Sequence, residues 1–229
     1  VNDNSVDDTE DVLKAYSLQY PTLKIVTLPD SDRFYGSKKF ALTLGIKAAK
    51  YDNVLLTDAD CRPVSSNWIK SMSKYADKKE IILGFGAYEK QPGFLNKLIR
   101  FETLFTAMQY FSLALCKMPY MGVGRNLAYK KELFFKVKGF SKHQHILSGD
   151  DDLFVNEVAN KTNTSIAFEK DAQTISLPKT TFSAWLKQKK RHLSTGKYYK
   201  FKHKVVLGLY PFSLFLLICC FLLLVVTQT

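Results

Sequence analysis

The feature that most restricts what this chain can become is its last stretch. From Val205 to Val226 no residue carries a charge, and the run ends in PFSLFLLICCFLLLVV. As a helix rising ~1.5 Å per residue, about 22 residues cover roughly 33 Å, the thickness of a bilayer core. That length without a charge favours a membrane span over a buried core helix. Residues 205–229 are expected to form a transmembrane segment, and residues 1–204 the folded domain before it. The net charge of +12 points the same way. Lys187, Lys189, Lys190, Arg191, Lys197, Lys200, Lys202 and Lys204 all precede the run. Such an excess beside a span marks its cytoplasmic side and attracts anionic headgroups. The domain is therefore expected in the cytosol, held to the cytoplasmic membrane. Nucleic acid is the competing explanation of the charge, but the aromatic residues follow no nucleic-acid-binding pattern, so no such partner is expected.

Upstream, strand-like and helical stretches alternate. Thr9 to Tyr20, Gly36 to Lys50 and Trp68 to Tyr75 have helical character, while Leu23 to Leu28, Val54 to Thr57 and Ile81 to Tyr88 have that of short strands. This alternation predicts an α/β fold with a mainly parallel sheet covered on both faces. Phe94 to Met118 is a long, apolar, aromatic-rich helix, either a core helix or one lying at a membrane interface. Phe182 to His192 forms a later helix. Cys61, Cys116, Cys219 and Cys220 show no metal-ligand spacing and read as reduced thiols. The chain opens at VNDNS without Met and stops just past one apolar run. We expect a fragment lacking its first strand and any later membrane helices.

Three constellations carry chemistry. Asp58-Ala59-Asp60 follows the apolar strand VLLT. Two carboxylates at the end of a buried strand can hold Mg²⁺ or Mn²⁺ against a diphosphate; a solvated turn is the plainer alternative. Next, Asp150, Asp151 and Asp152 are contiguous after Gly149. Like charges repel, so a cation or a proton-transfer role favours their grouping, although an acidic helix cap before LFVNEVA also explains them. Third, Gln188, Arg191 and His192 share one side of a helix and offer an amide, a guanidinium and an imidazole to a diphosphate or a sugar ring. A juxtamembrane basic patch is the alternative.

In order over nearly the whole chain, these segments resemble the family 2 glycosyltransferases, which include cellulose, chitin and hyaluronan synthases. VNDNSVDDT resembles the family's V-D-D-x-S-x-D-x-T turn, with Asn2 departing from the usual Asp. The resemblance implies that Asp3 and Lys38 bind the nucleotide donor. It makes Asp60 the direct metal ligand, with Asp58 beside it and nearer the nucleotide. GVGRNLAYKKELFFKVKGF resembles the segment lining the acceptor side, implying Gly122, Gly124 and Asn126 there, together with Asp150. SGDDDLFVN resembles the G-[ED]-D-x-x-L motif and makes Asp151 the catalytic base, leaving Asp150 and Asp152 as cap or solvent-facing charge. QKKRH stands where Q-x-x-R-W is expected, so Gln188, Arg191 and His192 face the donor, His192 replacing the Trp.

The fold implied is a Rossmann-like GT-A catalytic domain, an interfacial helix region and a C-terminal transmembrane helix. The function implied is an inverting transfer of a sugar, with Mg²⁺ or Mn²⁺, from a nucleotide-diphosphate donor, UDP foremost, to a lipid-linked or glycan acceptor. Two alternatives stand beside it. A processive polysaccharide synthase would show further membrane helices, and a catalytically dead binding module would have lost Asp60 or Asp151; both are present.

Overall fold

The computed structural model describes residues 1–28, 38–146 and 148–228. Its elements run α1 (Thr9–Gln19), α2 (Lys38–Ala48), β1 (Asn53–Leu56), β2 (Cys61–Pro63), α3 (Trp68–Ser73), β3 (Ile81–Gly84), β4 (Gly86–Tyr88) and α4 (Phe94–Leu115). They continue β5 (Leu127–Lys130), α5 (Lys131–Lys136), α6 (Asp152–Val158), β6 (Thr164–Ala167), β7 (Thr174–Ser176), α7 (Phe182–Leu193) and α8 (Phe201–Gln228). Gly36 and Ser37, expected to open α2, lie outside the described residues.

The main sheet has the order β1-β5-β3-β6. β3 and β6 pair in parallel, whereas β5 is antiparallel to both β1 and β3. Three strands thus share one direction, and the expected mainly parallel sheet carries one reversed strand. The stretch from Ile81 to Tyr88 is not one strand. It breaks at Phe85, so that β3 joins the main sheet and β4 joins a second sheet of order β2-β7-β4. Leu23 to Leu28 contributes only a parallel bridge, Thr27 to Asn2.

Side-chain alternation along β3 and β5 explains the layering. Ile81 and Leu83, with Leu127 and Tyr129, enter a core shared with Ile46, Tyr110, Phe134, Phe154 and Val155. Ile82 points to the opposite face, where Trp68, Met72 and Ala172 meet it. A strand with period-2 alternation that is apolar on both sides has to be covered twice. Burying each of these large side chains contributes on the order of 1.5–3 kcal/mol.

Phe94–Leu115 is a core helix along one of its sides. Asn96, Ile99, Thr103, Ala107 and Tyr110 recur every three or four residues and are buried, and the Tyr110 hydroxyl donates to the Gly84 carbonyl at 2.8 Å. The remaining side leaves Phe94, Phe101, Leu104 and Met108 exposed. Among the described residues, one helix is long and apolar enough to cross a membrane, Phe201–Thr227, with a mean hydropathy of 2.7 and none of its apolar window buried.

Candidate active site

The sheet delivers the first carboxylates. β1 ends at Leu56, and the chain turns through Asp58 and Asp60 before β2 begins at Cys61. The ligand atoms of Asp58, Asp60 and Cys61 lie within 4.8 Å of one another. The Cys61 thiol is 3.6 Å from Asp60 Oδ1, and burial, reinforced by the Asp60 charge, raises its pKa. A protonated thiol is no partner for a hard cation, which leaves two carboxylates, a donor set that suits Mg²⁺ or Mn²⁺ completed by substrate phosphates. The residues fit such an ion.

Lys38, the first residue of α2, joins these acids to the second group. Its ammonium lies 2.8 Å from Asp58 Oδ1 and 2.9 Å from Asp150 Oδ2. Desolvation opposes its charge, but Asp150 and Asp58 outweigh that and raise its pKa. Lys39 turns inward instead and donates to the carbonyls of His143 and Ile146 at 2.5 and 2.7 Å. It thereby fixes the segment leading to the acidic triplet. Asp150, expected on the acceptor side, is 8% exposed and sits on the Asp58 side, paired with Lys38.

Gly149 turns the chain into α6 at φ +94°, where a Cβ would come within 2.5 Å of Leu153 Cδ1. That turn aims Asp151 across the cleft. Its Oδ2 accepts the Gly124 N–H at 2.6 Å and its Oδ1 the Asp152 N–H at 2.8 Å. Asp151 is therefore itself the helix cap. Burial, then the charges of Asp150 and Asp152, push its carboxyl up to about 7 against the pull of Gly124 and Lys38. Asp152, read as cap or solvent-facing charge, is neither: it is buried under Thr195 and Tyr199.

The segment expected on the acceptor side divides. Gly124 reaches the site through its N–H. Asn126 does not, being 0% exposed. It accepts from Trp68 Nε1 at 3.1 Å and donates to the carbonyls of Phe85 and Ala172 at 3.0 and 2.7 Å. Both amide N–H groups and the amide oxygen are spent on tying α3 and the two sheets together, and full burial keeps an acceptor away. Gly122 is likewise a packing residue, where a Cβ would press on Leu83, Leu127 and Val155 at 3.1–3.3 Å. Asp3 lies exposed just past the Asn2–Thr27 bridge, with no contact to the acids among the described residues.

On α7, Gln188 Nε2 donates to the Tyr88 hydroxyl at 3.3 Å, while Arg191 and His192 are exposed. Crowding by neighbouring atoms, then the charges of Lys189, Arg191, Arg125 and Lys38, push the His192 imidazole down to about 4. Two residues escaped the sequence reading. Arg125 stacks over the Tyr88 ring at 4.3 Å and reaches Ser176 Oγ at 3.3 Å. The signal was present, because Arg125 lies inside GVGRN, but its pairing with Tyr88 spans distant sequence.

Lys38, Asp58, Gly124, Asp150 and Asp151 close one end of a cavity of about 450 Å³ whose apolar remainder runs along β1. Carboxylates grouped at a strand end, with a basic helix nearby, suit a diphosphate-linked sugar, and the class so defined is the GT-A-type glycosyltransferases. The chain belongs to glycosyl transferase family 2, whose family model matches residues 1–140. Among solved structures it resembles the mannosyltransferase PcManGT from Pyrobaculum calidifontis in complex with GDP-Man and Mn²⁺, with a TM-score of 0.53 and 18% identity. That match covers 80% of this chain and 48% of the other, so the chain spans about half of that protein's length. A mycobacterial protein follows with a TM-score of 0.43 and 16% identity, covering 79% of this chain and 56% of the other. No curated protein sequence matches.

Proposed function

We propose that this chain is an inverting glycosyltransferase that moves a sugar from a nucleoside diphosphate, uridine diphosphate foremost, to a lipid-linked or glycan acceptor at the cytosolic face of a membrane. The observation that carries this reading is the Asp151 carboxyl, held by the N–H groups of Gly124 and Asp152 in the same cleft as Lys38 and Asp58. A base with a raised pKa in such a cleft is matched to proton abstraction near neutral pH. The acceptor oxygen forms a bond to the anomeric carbon, and Asp151 takes its proton. The bond from that carbon to the diphosphate oxygen breaks, and the electron pair leaves with the diphosphate. Lys38 and Arg191 neutralise the leaving charge. A divalent cation held by Asp60 and Asp58 would add Lewis-acid neutralisation of the same group. His192, neutral at pH 7, offers hydrogen bonds rather than charge.

The domain, residues 1–204, is anchored in this reading by the span in 205–229. The exposed apolar residues of α4, with Phe182, Leu186 and Leu193 of α7, lie toward the interface, and the basic residues before the span face anionic headgroups. GDP-mannose is the second donor to consider, because the similar mannosyltransferase structure holds GDP-Man with Mn²⁺.

The test is nucleotide release by the detergent-solubilised full chain, supplied with UDP-glucose, UDP-N-acetylglucosamine or GDP-mannose and a membrane lipid extract. Metal-dependent release from one donor, abolished by a chelator, supports the reading. Donor binding that ignores Mn²⁺ and Mg²⁺ alike would overturn the role given to Asp58 and Asp60.

A further inference from the structure

One buried carboxylate, unused by the transfer chemistry, lies where the elements of the site converge. Asp152 follows the base and is 7% exposed. Its Oδ1 accepts the Leu153 N–H at 2.8 Å. Its Oδ2 accepts the Tyr199 hydroxyl at 2.7 Å and is hydrogen-bonded to the Thr195 hydroxyl. Thr195 is 1% exposed, and its Oγ1 lies 2.7 Å from the His192 carbonyl oxygen at the end of α7. A threonine hydroxyl has one proton for these two acceptors. Thr195 donates either to Asp152 or to His192, and in the second case a protonated Asp152 donates to Thr195. Burial raises the Asp152 pKa, and the Thr195 and Tyr199 hydroxyls pull against that rise.

One turn along α6, Asn156 repeats the device. Its Oδ1 accepts the Lys200 N–H at 3.0 Å, and its amide nitrogen donates to the Tyr120 carbonyl at 2.8 Å and lies 2.9 Å from His203 Nδ1. Among the described residues no hydrogen bond joins Asp151 directly to α7. Gln188 and Lys189 tie the body of α7 to Tyr88 and to Glu102 of α4, while Thr195, bonded to Asp152 and to the His192 carbonyl, links the end of α7 to the start of α6.

We propose that Asp152 is a positioning residue, which through Thr195 and Tyr199 holds the loop carrying Asp151 against the end of α7 and so sets the distance between the base and the groups facing the departing diphosphate. This rests on the reading of Asp151 as base. A carboxylate is a poor choice for stability alone, because burying a charge costs more than an apolar side chain of like volume. A displacement of about 1 Å at a reacting centre can cost about 10²-fold in rate.

The test uses the full chain in detergent with UDP-glucose, UDP-N-acetylglucosamine and GDP-mannose as donors and a membrane lipid extract as the source of acceptor. Turnover is read beside hydrogen exchange of the backbone in residues 149–153 and 188–195. Thr195→Ser keeps the hydroxyl and is expected to retain both turnover and protection. Thr195→Val removes it and should lower kcat by about 10²-fold, leave donor KM within about twofold, and speed exchange in both segments. Asp152→Asn combined with Thr195→Val should lose no more than the worse single variant, because both break one joint. Equal behaviour of the Ser and Val variants, additive losses, or unchanged exchange at α7 would each overturn the proposal. Near-normal turnover in Asp151→Asn would instead remove the base assignment, while the exchange result still decides the joint.

Discussion

Asp58, Asp60 and Asp151 are all aspartates, yet their surroundings assign them different work. Asp60 is exposed, so Asp60→Ala should change folding stability by only about ±0.5 kcal/mol. It should abolish the effect of Mn²⁺ on UDP binding, as read by calorimetry; a metal effect of unchanged size would remove the ligand assignment. Asp151 is shielded, and its carboxyl is pushed up to about 7. A base acts only when ionised, so kcat/KM should fall as pH drops through the neighbourhood of 7, with a bound cation drawing that limb lower. His192 is pushed down to about 4, below that range. His192→Asn should therefore keep the acid limb where it is. Asp151→Asn should cost about 10²–10⁴-fold in turnover while nucleotide affinity stays nearly unchanged. A limb near pH 4 in the parent would mean that burial does not raise this carboxyl.

At the scale of elements, the turn before α6 shows how little freedom the site allows. Gly149 sits at φ +94° with Leu153 directly against it. Gly149→Ala should cost about 1–3 kcal/mol of stability, measured by denaturant unfolding, because strain and overlap act together. Much of this level was legible in the sequence. The helices over Thr9–Gln19, Phe94–Leu115 and Phe182–Leu193, and the strand before Asp58, follow from periodicity and sit within a few residues of expectation. What was not legible depends on partners far along the chain. Phe85 breaks a strand-like run because its two halves pair with different strands, β5 and β6 on one side and β7 on the other. Asn126 sits in a motif that suggests a surface, but Trp68, Phe85 and Ala172 consume its amide. Asp152 looks like a third surface acid until Thr195 and Tyr199, more than 40 residues later, arrive to cover it. Local pattern cannot report such pairings.

For the whole molecule, the decisive matter is where the packed domain stops and the exposed apolar part of α8 begins. Helix α8 opens at Phe201, yet its first turns belong to the domain. His203 is buried, Leu207 packs against the main core, and the Tyr210 ring meets Phe105 of α4 at 5.3 Å. Beyond Pro211 the helix is almost wholly exposed and apolar. A cut after Lys204 removes Leu207 and Tyr210 from the domain, whereas a cut after Pro211 keeps them. The longer product, 1–211, should therefore unfold at higher temperature than 1–204, by the margin that an apolar contact and a ring pair provide, about 1–3 kcal/mol. Both products lose the apolar stretch, while the lysines and arginines that precede it remain. Each such residue near an anionic surface contributes about 1 kcal/mol, and that attraction fades as salt shortens the Debye length. The 1–211 chain should thus sediment with phosphatidylserine vesicles at low salt and be released at 1 M salt, where the screening length falls to about 3 Å. The full chain should stay with the vesicles at both. Retention of 1–211 at high salt would show that the exposed apolar sides of α4 and α7 enter the bilayer themselves, so that the apolar end of α8 is not the only anchor.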